Sequence, residues 1–341
     1  MEDAFPFVRV KGSRYAMGRQ HGEIAGERVR RFIDLLLNGA KVSLEEGGRR
    51  AMRFLPLFER FSPGLVEEVR GLADGAKVSF EEALLLQVRG EIAGVTPEGC
   101  TAFALSREVT RTGQVIAGQN SDMGREIEAV GIVLCVEPED GPKALMYTFA
   151  GHLGYHGINS RGVGHFANAL YGPAWRFALP HYPLKRRFLE LSTADACVQT
   201  LMTTPVCSAG NYVLCDGEGR IRDVEVTPTG CDVVEAEDGF IVHANHFVSP
   251  KLKAQEKGGL ADSCPRHDRL KALVAEARGR IDAETMMRFL SDHAGHPTSI
   301  CRHGGPGEMK TAASLVAEPE RGVLHVCKGN PCEGTYRAYA M

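Results

Sequence analysis

The strongest constraint in this sequence is a change of pattern at the Gly99-Cys100 step. Before it, apolar residues recur at helical spacing, and after it apolar and polar residues alternate as in a strand. Residues 100–106 predict one strand, Thr112-Gly113 a turn, and residues 115–118 a second strand. Since a hairpin brings its two ends together, the polar run 119–122 is expected to lie close to Cys100.

The order of the elements predicts an α+β fold. Helices fill the first hundred residues, strands follow, and both types then recur in blocks, so we expect layered sheets in a single domain, 1–341. Helices are predicted at 14–37, from Ser62-Pro63, from Ser79, and at 183–191, 194–203, 265–278 and 283–292. Strands are predicted at 132–136, 144–149, 163–170, 212–215, 221–226, 232–236, 240–244, 311–317 and 323–327.

Composition limits the classes of partner. A formal net charge of -3 argues against a nucleic-acid binder, and no apolar run is long enough for a membrane span. The 10 cysteines are scattered and form no C-x-x-C pair. The chain is long enough to build its own core, and its acidic start lacks the pattern of a secretory signal. We therefore expect a cytoplasmic protein with reduced cysteines and no nucleic-acid or membrane partner.

Cys100 is the candidate nucleophile. Gly99 leaves the preceding carbonyl open to attack, and a thiol adding to that carbonyl would form a thioester that water can cleave. The products would be residues 1–99 and residues 100–341. The new amine of Cys100, with a pKa of about 7.7–8.0 in model compounds, could act as general base for its own thiol.

Several motifs resemble those of a known family. Gly99-Cys100-Thr101, followed by Gly118-Gln119-Asn120-Ser121-Asp122, is similar to the self-processing isopenicillin-N acyltransferase family (peptidase family C45) of N-terminal nucleophile hydrolases. The resemblance covers nearly the whole chain. Its further segments, in matching order, are 12–23, 157–162, 210–212, 243–247, 299–303 and 331–333.

The resemblance implies a four-layer αββα fold, cleavage before Cys100, and two fragments that stay associated without a cofactor. It also implies that Asp122 orients the freed amine of Cys100 and that Asn245 donates to the oxyanion. Both roles are physically reasonable, because a carboxylate raises the pKa of a nearby ammonium group and an amide can stabilise developing negative charge.

The sequence departs from the family pattern at two points. Ala102 stands where a hydroxyl residue is often found, so Thr101 or Ser121 would have to assist cleavage. The arginine often found before the strand 311–317 is absent, and Lys310 or Arg302 would have to replace it. The candidate substrate or oxyanion contacts are Thr101, Asn120, Arg302 and Lys310.

The resulting hypothesis is an autoprocessing cysteine amidohydrolase or N-acyltransferase that acts on a small amide through a Cys100 thioester. Hydrolysis is the simpler expectation because water is always available. The sequence leaves open whether the chain forms a homo-oligomer. Aromatic residues 166, 171, 175 and 177 are candidates for an acyl pocket or for the core. No G-x-S-x-G motif points to a serine hydrolase of the α/β type.

Two alternatives come from other classes. One is a metal-dependent amidohydrolase that uses the His293–His303 cluster, which comprises Asp292, His293, His296, Cys301 and His303. Because their spacing fits no standard zinc pattern, no metal is expected. The other is a non-catalytic binding protein on the same scaffold.

Overall fold

The computed structural model describes residues 3–93, 98–305 and 307–341. The sequence Gly94-Val95-Thr96-Pro97-Glu98-Gly99 predicts an irregular stretch, because it cannot continue a helix, and most of it falls outside the described residues. The α-helices are α1 (Arg14–Ala40), α2 (Leu44–Met52), α3 (Leu55–Phe61), α4 (Pro63–Ala76), α5 (Phe80–Leu86), α6 (Arg89–Ala93), α7 (His181–Phe188), α8 (Ala194–Thr203), α9 (Ser263–Ala277) and α10 (Ala283–Leu290). The strands are β1 (Phe7–Gly12), β2 (Gly99–Leu105), β3 (Ile116–Met123), β4 (Gly131–Pro138), β5 (Ala144–Phe149), β6 (His156–Asn159), β7 (Gly164–Ala169), β8 (Gly210–Cys215), β9 (Ile221–Thr227), β10 (Gly230–Val234), β11 (Phe240–His243), β12 (Lys310–Glu318), β13 (Val323–Lys328) and β14 (Arg337–Ala340).

The strands form two sheets. The first is 8-stranded, in the order β1-β4-β5-β6-β7-β8-β9-β10, and the second is 6-stranded, in the order β11-β2-β3-β12-β13-β14. Strand β1 pairs in parallel with β4, and the other pairings between named strands are antiparallel. The central strands β2 and β3 of the second sheet contact β7 of the first sheet.

Helices cover the outer face of each sheet. Helix α1 packs on β1 and β4, and α7 and α8 pack on β7 to β10, all on the first sheet. Helices α9 and α10 cover the second sheet and contact β2, β3, β11 and β12. Buried side chains between α9, α10 and the second sheet form a separate apolar cluster that includes Phe103, Leu270 and Leu290. The predicted four-layer αββα sandwich is therefore confirmed.

Local sequence signals explain several helix ends. Ser79 and Glu82 form the predicted capping box at the start of α5, in which each side chain accepts a hydrogen bond from the other residue's backbone N–H. Asp282 caps α10 by accepting from the backbone N–H of Thr285. Among the described residues, no helix combines the length and the apolar character needed to cross a membrane.

Helices α1 and α4 pack unusually closely. A β-carbon on Gly18 would stand 1.9 Å from the carbonyl oxygen of Glu68, and one on Gly71 would stand 2.0 Å from that of Tyr15. Glycine is therefore required on both helices, because any side chain would overlap the opposite backbone. The early glycines of α1 form a helix–helix contact and do not interrupt the helix.

Candidate active site

Cys100 is the second residue of β2, in the middle of the sandwich. The β2–β3 register pairs Cys100 with Ser121, Gly99 with Asp122, and Thr101 with Asn120. Side chains alternate between the two faces of a strand. Cys100 and Ser121 therefore share the face towards the first sheet, and the other two pairs lie on the face covered by α9 and α10.

Cys100 is enclosed by amide side chains. Its backbone N–H donates to Asn245 Oδ1 at 3.0 Å, and Gln119 Nε2 lies 3.7 Å from its Sγ. The residue is only 2% exposed. Burial, with help from the charges of Asp122 and Glu98, raises the pKa of the Cys100 thiol to about 12. In the intact chain the thiol is therefore protonated at neutral pH.

Asn245 follows β11, and both its side chain and its backbone bond to neighbouring elements. Its Nδ2 donates to the carbonyl oxygens of Ala169 and Glu98, at 3.0 and 3.4 Å. Its own backbone N–H donates to Ser263 Oγ at 2.7 Å, which fixes the residue to the start of α9. The side-chain orientation is thus set from both ends, with the oxygen on the Cys100 amide and the NH₂ towards the carbonyl of Glu98.

Arg266 is the residue that the sequence reasoning missed. It is 1% exposed, and its Nη1 donates to the Cys100 carbonyl oxygen at 2.6 Å and to Thr101 Oγ1 at 2.7 Å. Its Nη2 donates to Asn245 Oδ1 at 2.8 Å and to Asp262 Oδ1 at 3.2 Å. One guanidinium group therefore fixes the backbone of the candidate nucleophile and the oxyanion candidate together. The only signal in the sequence is the four-residue spacing of Asp262 and Arg266.

Asp122 is completely buried, and two partners hold its carboxylate. Thr311 Oγ1 donates to Oδ1 at 2.8 Å, and Arg302 Nε donates to Oδ2 at 3.3 Å. Arg302 also pairs with Asp262. Burial raises the pKa of Asp122, and the positive charges of Arg266 and Arg302 oppose that shift. The predicted candidate Arg302 thus lies against Asp122.

Two other predicted contacts point away from the thiol. Asn120 Nδ2 donates to the carbonyl oxygens of Leu290 and Ile300, at 2.8 and 2.9 Å, and so holds the α10 layer on the sheet. The ammonium group of Lys310 lies 2.6 Å from Glu128 Oε1. Lys310 is therefore paired with Glu128, and the cations that bond at Cys100 and Asp122 are Arg266 and Arg302.

Ser121 lies opposite Cys100 and carries an unused hydroxyl group. Its Oγ is buried and has no hydrogen-bond partner among the described residues. Thr101 Oγ1, in contrast, already accepts from Arg266. Of the two residues considered as replacements for the hydroxyl missing at Ala102, Ser121 is the one on the same face as Cys100.

A cavity of about 440 Å³ reaches Glu98, which precedes the strand β2, and neither Cys100 nor Asn245 lines it. Its lining includes Glu98, Arg89, Lys185, Tyr171 and Trp175. Arg89 Nη2 bonds Glu98 Oε1 at 2.8 Å, and burial lowers the pKa of Lys185 to about 8. The other two aromatic candidates do not line this cavity: residue 166 is in the core, and residue 177 packs on Phe54. The cavity wall therefore combines aromatic side chains with two buried cations and the carboxylates of Glu91 and Glu98.

The predicted His293–His303 cluster comes together only in part. His293, Cys301 and His303 meet, and Cys332 joins them. Asp292 instead pairs with Arg269 at 2.6 Å. Three of the four residues that meet lie in the loop between α10 and β12, and Arg302, in the same loop, bonds Asp122.

Taken together, these contacts can support acyl transfer. A thiol, a backbone nitrogen and a side-chain amide converge at Cys100, and Asp122 with Arg302 supplies a charged pair beside the preceding residue. A nucleophile, an oxyanion donor and an adjacent cavity are the parts that this chemistry needs.

Comparisons with known proteins identify related sequences. The model of the family "Acyl-coenzyme A:6-aminopenicillanic acid acyl-transferase" matches residues 109–333, which include Asp122 and Asn245 and begin after Cys100. The acyl-coenzyme A:6-aminopenicillanic-acid-acyltransferase 40 kDa form of Emericella nidulans is 28% identical over 313 residues, which cover 89% of this chain and 86% of that protein.

Solved structures bear on the fold alone. A variant of the conjugated bile acid hydrolase from Clostridium perfringens superimposes with a TM-score of 0.50 at 14% identity, over 71% of this chain and 97% of that one. With the family match over more than half of its length, the chain belongs to the acyl-coenzyme A:6-aminopenicillanic acid acyl-transferase family.

Proposed function

We propose that this chain is an autoprocessing amidohydrolase or N-acyltransferase whose nucleophile is the thiol of Cys100. The observation that carries the proposal is the bond from the Cys100 backbone nitrogen to Asn245 Oδ1, which Arg266 fixes from the other side. A nitrogen held in this way stays beside its own thiol after the preceding peptide bond is cut. It would then be a general base in the correct place.

Activation would begin with attack of Cys100 Sγ on the carbonyl carbon of Gly99. The S–C bond forms, the Gly99–Cys100 C–N bond breaks, and the leaving nitrogen takes the thiol proton. Water then hydrolyses the thioester, which returns the thiol and leaves a carboxylate on Gly99. The unpartnered hydroxyl of Ser121, on the thiol's face of the hairpin, is the candidate group to assist proton transfer.

Cleavage would also change the electrostatics at the cavity. The new carboxylate of Gly99 would form directly opposite Asp122, and two carboxylates at such short range repel each other. This repulsion favours departure of residues 98–99 from the site. Since the side chain of Glu98 lines the cavity and bonds Arg89, its departure would enlarge the cavity and release that cation.

In turnover, the Cys100 thiol would attack an acyl donor while its amine takes the proton. The oxyanion would accept from Asn245 Nδ2, which in the intact chain donates to the carbonyls of Ala169 and Glu98. The leaving amine then takes the proton, and water or an acceptor amine attacks the thioester. Preorganised amide donors of this type are worth roughly 3–4 kcal/mol in the transition state.

The cavity favours a substrate with an apolar acyl group and an anionic group. Arg89 and Lys185 are buried, and departure of Glu98 would leave Glu91 as the carboxylate that lines the cavity with them. Two buried cations beside one carboxylate favour binding of a substrate anion. The name of the Emericella relative describes acyl transfer to 6-aminopenicillanic acid, an amine that also carries an acid group. An amide of an amino acid or a related small acid is therefore the substrate class we propose.

The direct test is the intact mass of the purified protein. The wild type is expected to give two co-purifying fragments, 1–99 and 100–341, and Cys100→Ala is expected to give one uncut chain. Cys264→Ser, which removes an exposed cysteine, is the matched control and should be cut normally.

A second measurement separates cleavage from catalysis. Alkylation of the mature protein should remove amide hydrolysis, and a mass shift should appear on the 100–341 fragment. A wild type that stays whole and still hydrolyses amides after Cys100 is alkylated would overturn the proposal.

A further inference from the structure

Four metal-binding side chains meet at the end of the second sheet. His293, Cys301 and His303 come from the loop between α10 and β12, and Cys332 comes from the turn between β13 and β14. Their four ligand atoms all lie within 4.8 Å of one another. Cys332 lies 29 residues after His303 and 31 after Cys301, which is why no local spacing reveals the set.

The separations are close to those of a tetrahedral zinc site, within a few tenths of an ångström for four pairs of ligand atoms. Zn–S bonds of about 2.3 Å and Zn–N bonds of about 2.0–2.1 Å put ligand atoms about 3.3–3.8 Å apart in a tetrahedron. His303 Nε2 lies 3.0 Å from His293 Nε2, 3.6 Å from Cys301 Sγ and 3.3 Å from Cys332 Sγ. The two sulfur atoms are 3.5 Å apart. A disulfide would need about 2.05 Å between them.

The surroundings support these ligands. Asn330 Nδ2 lies 3.5 Å from Cys301 Sγ, and Glu333 Oε1 lies 3.7 Å from His303 Nδ1. In metal sites, a ligating thiolate often accepts a hydrogen bond, and a ligating histidine often donates its other ring N–H to a carboxylate. Backbone bonds from Cys301 to Asp292 and from His303 to Pro297, both 3.0 Å, fix the loop itself.

We infer that His293, Cys301, His303 and Cys332 form a structural zinc site. Two thiolates and two imidazoles suit Zn²⁺. Since four protein ligands fill a tetrahedron, no position remains for a catalytic water, in contrast to the metal-dependent amidohydrolase considered from the sequence. The expectation of no metal, drawn from local spacing, is replaced by this proposal.

The site would tie two distant segments together next to Asp122. Arg302 lies between two of the ligands and bonds the Asp122 carboxylate at 3.3 Å. Asn330 Nδ2, which faces the sulfur of Cys301, also donates to the Arg302 carbonyl at 2.7 Å. Metal binding would therefore hold the backbone that presents Arg302, whatever reaction the protein catalyses.

The test is the metal content of full-length protein purified with reductant and without chelator from zinc-supplemented medium. About one zinc per chain is expected for a single four-ligand site. Cys332→Ser and His293→Ala should each lower it at least tenfold. His296→Ala, in the same loop, and Cys264→Ser, an exposed cysteine elsewhere, are the matched controls and should retain the metal.

Cobalt binding to the wild-type protein tests the site without requiring that any variant folds correctly. Co²⁺ added to metal-free wild type should give visible bands of a tetrahedral ion and an ultraviolet thiolate-to-metal band, and Zn²⁺ should remove both. Reduced wild type that binds neither metal would overturn the inference. Equal zinc content in the ligand variants and the controls, or a Cys301–Cys332 disulfide in alkylated lysate, would also overturn it.

Discussion

Gly99 packs directly against the carboxylate of Asp122. A β-carbon on Gly99 would stand 3.1 Å from both the β-carbon and Oδ2 of Asp122, and 3.5 Å from a methyl group of Leu260. The glycine before the nucleophile therefore does more than leave the carbonyl accessible. It allows a buried carboxylate to lie beside the bond proposed to be cut.

Gly99→Ala should slow self-cleavage. The added methyl group displaces the Asp122 side chain, and misplacement of about 1 Å near a reacting group can reduce a rate about 100-fold. A time course of intact mass after synthesis measures the change. Gly39→Ala, where nothing lies within 4 Å of the new carbon, is the control, and cleavage at the wild-type rate in both variants would contradict the prediction.

Asn245→Ala should lower kcat of the mature enzyme about 100- to 1,000-fold, because an oxyanion donor is lost, with a smaller change in KM. Steady-state kinetics on the cut fraction measures it. Asn120→Ala removes an amide from the adjacent strand whose bonds go to Leu290 and Ile300. It should reduce stability and leave kcat of the folded protein unchanged, and equal losses of kcat in the two variants would argue against the assigned role.

Arg266→Met should destabilise the protein by about 3–5 kcal/mol, since it leaves buried acceptors without their charged partner. It should also impair cleavage, because Cys100, Thr101 and Asn245 lose a shared donor. Urea unfolding measures the first effect and intact mass the second. The control is Arg269→Met on the exposed side of the same helix, where the pair with Asp292 is worth about 1 kcal/mol or less.

Lys185 should make KM for an anionic substrate depend on pH. Burial lowers the pKa of Lys185 to about 8, so its ammonium group is charged below that pH and neutral above it. The charge of Glu98 opposes that shift in the intact chain, so the proposed departure of Glu98 lowers the pKa further, and KM is expected to rise as pH increases in the range below about 8. Lys185→Arg keeps its charge and should remove that rise. Lys185→Met should raise KM about 10-fold or more at low pH, where the wild-type ammonium group is charged, and should approach the wild-type KM at high pH. A KM profile that is the same in all three proteins would contradict the prediction.

The strands β2 and β3 that form the site were predicted correctly from the sequence, because they follow from the alternation of apolar and polar neighbours. The hairpin that joins Cys100 to residues 119–122 and the cap at Asp282 are properties of neighbouring residues. The strand β1 was missed: it pairs in parallel with β4, more than a hundred residues away, within a region that otherwise reads as helical. The helices α2 and α3 and the short edge strand β14 were also missed.

What the sequence determined by itself was the chemistry available at one point of the chain and the layered fold that surrounds it. Only the tertiary structure decided which polar groups reach that point. Arg266, which was not predicted from the sequence, reaches Cys100 across 166 residues, and Cys332 reaches Cys301 in the proposed zinc site across 31. Such contacts depend on how helices and loops pack on a sheet. The role of a buried charge is identified only from the groups that bond to it in the folded protein.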